Sequence, residues 1–109
     1  RLAIWRQMLT LAARQARDEQ DLAVREDGQV LLAVSFTLPR PKAHHGVSGA
    51  VKDRFIDLRP TTTPDVDKLA RAVLDALTGG LYRDDSQVVE LHASKSYGAI
   101  PGCRIEVLL

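Results

Sequence analysis

The sequence predicts an α+β fold with a mixed β-sheet flanked by two helices. Three observations support this. Residues 1 to about 17 and 66 to 77 carry apolar stripes with helical period, and three later stretches are rich in β-branched and aromatic residues with the two-residue period of strands. Proline and glycine clusters separate these stretches, as turn chemistry requires. The chain has 109 residues, enough for one domain, and its 45% hydrophobic content allows a core to be buried. It opens on Arg1 directly into a helical pattern, so a single domain over 1–109 that is incomplete at its N-terminus is expected, with a first strand missing before Arg1.

The elements follow in order. Leu2, Trp5, Met8, Leu9, Ala12 and Ala16 fall at i, i+3, i+4 spacing and predict a helix over 1–17. Arg14 and Arg17 suit the negative end of its dipole, and Asp18-Glu19-Gln20-Asp21 reads as the exit. Trp5 and Met8 are read as core or dimer contacts. Glu26-Asp27-Gly28 is a turn, and Val30 to Leu38 is a strand that Pro39 and Pro41 stop. Between 40 and 59 the pattern breaks down into a mobile basic loop. Arg40, Lys42, Lys52, Arg54 and Arg59, with His44 and His45, outweigh Asp53 and Asp57. Phe55 to Leu58 is read as a short strand within it.

A second helix is expected from Thr63. The threonine would cap it, Pro64 would take the first helical position and Asp65 the first turn. Val66, Leu69, Ala70, Val73, Leu74 and Leu77 supply its buried stripe, and Thr78-Gly79-Gly80 ends it. Leu81 to Ser86 is a connector. Gln87 begins a third strand that runs to Lys95 or Tyr97, and 103–109 alternates as a last strand. The last two strands are expected to pair as a hairpin.

The net charge of +1 does not by itself announce a nucleic-acid partner, although the 40–59 loop is locally basic. One cysteine, Cys103, leaves no intramolecular disulfide and fits a reducing, cytoplasmic compartment. No run approaches the roughly 20 apolar residues of a membrane helix. No zinc-type spacing surrounds His44-His45.

The chemistry lies in acids. Asp65 and Asp67 stand at a helix entrance, and Asp84-Asp85 stand at the entrance of the next strand. Magnesium takes oxygen ligands and keeps several waters, so a few carboxylates suffice to hold it. Residues two apart on a helix point in nearly opposite directions, so Asp65 and Asp67 can share an ion only if Asp65 precedes regular helix. The bland alternative stays open. Acids in a first turn stabilise the helix dipole, and Asp-Asp-Ser is ordinary turn chemistry.

Pro64-Asp65-Val66-Asp67-Lys68-Leu69-Ala70-Arg71 leads into Asp75-Ala76-Leu77, and Tyr82-Arg83-Asp84-Asp85-Ser86-Gln87-Val88 follows. This pattern resembles the RusA-type crossover junction endodeoxyribonucleases, or Holliday junction resolvases. That family carries Pro-Asp-x-Asp-Asn-Leu-x-Lys before an Asp-Ala-Leu helix, and then an aromatic, one residue, Asp-Asp, one residue and Gln-Val/Ile. The likeness covers most of 60–109 and, more loosely, the part before it. It implies a bacterial or phage-encoded homodimer that cuts four-way DNA junctions with Mg²⁺, or with Mn²⁺ in its place.

Carried over by position, Asp65, Asp67 and Asp85 are the metal ligands, with Asp84 auxiliary or structural. Lys95 falls where the family has a lysine, and is read either as a phosphate contact or as a solvated strand charge. Arg71 replaces a functional lysine and Lys68 an asparagine. Arg71 keeps a positive charge for the phosphate but cannot deprotonate; otherwise it is a surface partner of Asp67. Arg40, Lys42, Lys52, Arg54 and Arg59 would track the DNA backbone. Two rival functions remain at this point: a non-catalytic branched-DNA-binding module whose acids only cap a helix, and a dimeric interaction protein using the Trp5–Met8 face.

Overall fold

A computed structural model describes Gln15, Asp18 and residues 24–108. The helix expected over 1–17, with Trp5 and Met8, lies outside the described residues apart from Gln15; Gln15 and Asp18 are both helical.

The described residues form a three-stranded mixed sheet with one helix on it. β1 (Val30–Pro39) is central, β2 (Val88–Gly98) pairs with it in parallel, and β3 (Gly102–Leu108) pairs antiparallel on its other edge. α1 (Val66–Leu77) lies in the crossover between β1 and β2. Parallel neighbours need such a connection, because a tight turn cannot bring the chain back to the same end.

Every second residue of β1 points to the helix. Val30, Leu32, Val34 and Phe36 are at most 2% exposed and pack with Leu69, Val73, Leu77 and Tyr82. Ile105 and Val107 of β3 close the same face. Along α1 the buried residues are Leu69, Ala70, Ala72, Val73, Ala76 and Leu77. Val66, expected in the stripe, is 36% exposed.

Three expectations are corrected. The last two strands do not form a hairpin, since β1 lies between them. β1 is the strand with the buried apolar row, and placing it centrally pairs both of its edges. The chain passes from β2 to β3 over the end of β1, and a Cβ on Gly98 would lie 2.5 Å from Thr37 Cγ2. Next, Phe55–Leu58 is not a strand. Asp53–Phe55 is a 3-10 turn, and the Phe55 ring turns inward against His44 while Ile56 and Leu58 stay exposed. Last, α1 starts at Val66, with Asp65 and not Thr63 at its N-cap. The carbonyls of Thr62 and Pro64 accept hydrogen bonds from Lys95 Nζ at 2.9 and 3.0 Å, outside the helix. The Thr63–Pro64 peptide is cis.

The end of α1 is built as expected. Gly79 has φ +84°, and the Gly80 and Leu81 amides both donate to Leu77 O. Fully buried Tyr82 then drops under the helix, where its hydroxyl donates to Leu74 O at 2.8 Å. Burial pushes the phenol up to about 12. Tyr82→Phe should lower stability by about 1 kcal/mol, the net value of one hydrogen bond. That corresponds to a Tm drop of about 4–8 °C for a domain of this size. An unchanged Tm in a thermal melt would show that the hydroxyl holds nothing.

Candidate active site

The acids lie in two places, Asp65 and Asp67 at the entrance of α1 and Asp84 and Asp85 in the connector before β2. Asp65 is the N-cap, with extended backbone (φ −72°, ψ 143°), and its carboxylate makes no cap hydrogen bond. It therefore meets the geometric condition set by the sequence, since it precedes regular helix. Asp67 lies in the first turn, and both acids are exposed. Lys68 Nζ stands 3.9 Å from the Asp65 carboxylate, about half of which is open to solvent.

Asp84 and Asp85 have separate tasks. Asp84 caps the 3-10 turn Asp85–Gln87: its carboxylate accepts from the Ser86 amide at 2.9 Å. That hydrogen bond holds its carboxyl below the usual carboxylate range. Gln87 Oε1 reaches back to the Arg83 and Asp84 amides, and Gln87 Nε2 donates to Arg25 O and Gly28 O at 3.2 Å each. The connector is thus bolted to the segment before β1. With Asp84 so engaged, Asp85 turns to α1 and pairs with the Arg71 guanidinium.

Arg71 also reaches Asp75 Oδ1 at 3.3 Å through Nε. Its ion pairs among the described residues run to Asp75 and Asp85, not to Asp67. Arg71 is about half exposed, so its pair with Asp85 contributes at most about 1 kcal/mol. A contact that weak is exchangeable.

Oxygen-only donors suit a hard divalent cation. Among the described residues, no three His, Cys, Asp or Glu side chains stand close enough to hold one ion. Asp65 and Asp67 sit at the helix entrance, whereas Asp85 is held at the level of Arg71, one turn or more along the helix.

The basic loop is more built than its sequence suggests. Arg40 Nη1 donates to Phe55 O at 2.6 Å, and the guanidinium lies 5.1 Å from the Tyr97 ring centroid. His44 is buried, stacked on Phe55 at 4.1 Å and edge-on to Tyr97 at 5.3 Å. Arg54 covers Phe55 at 4.7 Å. His45 Nδ1 is 2.9 Å from Gly49 O, and a bridge joins His45 to Val51. Lys42, Lys52, Arg54 and Arg59 are exposed, so Arg40 is the member of the basic set given to internal support. Cys103 is half-buried, and burial pushes its thiol up to about 11, which makes it a poor nucleophile.

Sequence reading missed this stack and the Gln87 bolt. The Asp84-x-x-Gln87 spacing is a capping-box signal for the local turn, but it does not point to Arg25 or Gly28. No local pattern brings Tyr97 to His44 across 53 positions.

Burial, and then the charges of Arg40, His45, Arg54 and Lys52, hold the His44 pKa below its ordinary 6.5. The folded chain therefore prefers neutral His44. Its contribution to stability is complete above pH 6.5 and is lost as pH falls below that value toward the folded pKa. His44→Phe keeps a ring for the stack and removes the titration. Its Tm should fall less between pH 7.5 and 5.5 than that of the unsubstituted protein. Parallel Tm profiles would show that His44 does not titrate against folding.

Comparison with known proteins supplies the family. The family profile described as Endodeoxyribonuclease RusA matches residues 1–108. The chain is also 39% identical over 109 residues to "Uncharacterized protein YqaN" of Bacillus subtilis (strain 168), covering 96% of this chain and 70% of that protein. No solved structure matches. Among the described residues no helix is long and apolar enough to cross a membrane. With a profile match along almost its whole length, the chain belongs to the RusA family of endodeoxyribonucleases, which resolve Holliday junctions.

Proposed function

We propose that this protein is a Mg²⁺-dependent, homodimeric endonuclease that cuts four-way DNA junctions during recombination and repair. The supporting observation is the family match over 1–108, which spans the elements carrying Asp65, Asp67 and Asp85. Two active sites related by a two-fold axis suit a substrate with two opposed strands to cut.

The reaction is hydrolysis of a phosphodiester. Water attacks phosphorus, and the bond to the 3′ oxygen breaks. Asp65, Asp67 and Asp85 are the proposed ligands of the cation, with Mn²⁺ as an alternative ion. Among the described residues no three such side chains are grouped to hold one ion, and in this reading DNA or the second subunit completes the arrangement. Asp65 and Asp67 contribute exposed carboxylates at the helix entrance. Arg71 contributes a fixed positive charge beside Asp85, able to exchange the carboxylate for a phosphate oxygen as charge develops there. Lys42, Lys52, Arg54 and Arg59 are exposed and suited to the DNA backbone, with Arg40 bracing their loop.

Asp67→Asn tests the assignment. Asp67 is exposed in the first turn, so the variant should fold and bind junctions as before. Its kcat for junction cleavage should fall by about 100-fold or more, the scale of losing one electrostatic partner of the transition state. Cleavage at the unsubstituted rate in Mg²⁺ would remove Asp67 from the site.

A further inference from the structure

Lys95 is the lysine of β2 that faces the helix side of the sheet. It sits opposite Phe36 in the parallel register, and Phe36 is 2% exposed. From this half-buried position its ammonium donates to Thr62 O at 2.9 Å and Pro64 O at 3.0 Å, more than thirty residues back along the chain. An ammonium has three donors, and two are engaged here. Hydrogen bonds from a charged donor are roughly twice as strong as neutral ones. The head group is committed to the backbone.

The carbonyl of Pro64 belongs to the same peptide as the Asp65 amide. Fixing its oxygen fixes the plane from which Asp65 starts. An aspartate at an N-cap ordinarily folds its carboxylate back onto the N2 or N3 amide. The Asp65 carboxylate makes no such bond. It is about half exposed and stands 3.9 Å from Lys68 Nζ, in the first turn of α1.

We propose that Lys95 is a positioning residue for Asp65. It clamps the Thr62 and Pro64 carbonyls so that the Asp65 carboxylate stands clear of the helix end, and it does not read the DNA backbone. The activity arm of this proposal rests on the nuclease reading above; the structural arm does not.

Lys95→Met keeps the aliphatic stem and removes the ammonium. Three measurements on the full chain decide the case. The first is hydrogen exchange at the Leu69 amide, which donates to Asp65 O at 3.0 Å and closes the first turn of α1. The second is junction affinity as a function of salt, and the third is the split between kcat and KM. Positioning predicts faster Leu69 exchange, unchanged affinity and salt slope, and a kcat lowered by about 10- to 100-fold, as for removal of a residue supporting an active-site ligand. Lys95→Gln, whose amide still donates to one carbonyl, should fall between.

A lysine that contacts phosphate gives the opposite result. Affinity weakens, the salt slope falls by about one, and Leu69 exchange is unchanged. That outcome overturns the proposal. If the unsubstituted protein fails to cleave junctions, the nuclease reading fails, and Leu69 exchange still decides whether Lys95 holds Asp65.

Discussion

The parallel pairing of β1 with β2 is the constraint on which the rest depends. It obliges the chain to return from the end of β1 to the start of β2, and α1 makes that return. Two contacts fix its direction. Pro64, just before the helix, meets Lys95 in the later half of β2, and Arg71 meets Asp85 just before β2 begins. α1 therefore runs opposite to the two strands. Its entrance, with Asp65 and Asp67, lies over one end of the sheet, and the connector with Asp85 approaches from the other. Arg71, which holds Asp85, stands four residues beyond Asp67, about 6 Å further along the helix axis.

The same layout explains how each polar side chain is used. Asp84 and Gln87 are consumed in holding the connector to Arg25 and Gly28, which leaves Asp85 for the helix. Lys95 is consumed in holding the approach to α1, and the Asp65 carboxylate makes no cap hydrogen bond. Arg40 and His44 brace the basic loop against Tyr97 at the far end of β2, leaving Lys42, Lys52, Arg54 and Arg59 exposed. Near each proposed functional group, a neighbouring polar residue carries the structural load. The Arg71–Asp85 pair differs in kind: it is a solvent-facing ion pair of small energy, suited to exchange when a phosphate arrives.

Much of the fold was legible from period and punctuation. β1, α1, β2 and β3 follow from alternation or helical stripes bounded by Pro39, Gly79-Gly80 and Gly98–Gly102, because burial on one face enforces those periods locally. Strand order was not legible. Closeness of β2 and β3 in sequence suggested a hairpin, but centring β1 buries more apolar surface, and that choice is made by tertiary packing. The helix starts two residues later than its sequence predicts, and Lys95, some thirty positions away, holds the carbonyls before it. For the site, the acids and Arg71 stood in the motif itself. The partners of Asp85, Lys95, His44 and Arg40 are long-range facts that no local spacing encodes.

The account stands most directly on whether this chain hydrolyses branched DNA. The measurement is strand cleavage of a labelled four-way junction by the unsubstituted protein, against a linear duplex of the same sequence, in Mg²⁺ and in chelator. The account predicts paired, symmetrical nicks in the junction in Mg²⁺, none in chelator and none in the linear duplex. A junction that is bound yet stays intact at every Mg²⁺ concentration would contradict it.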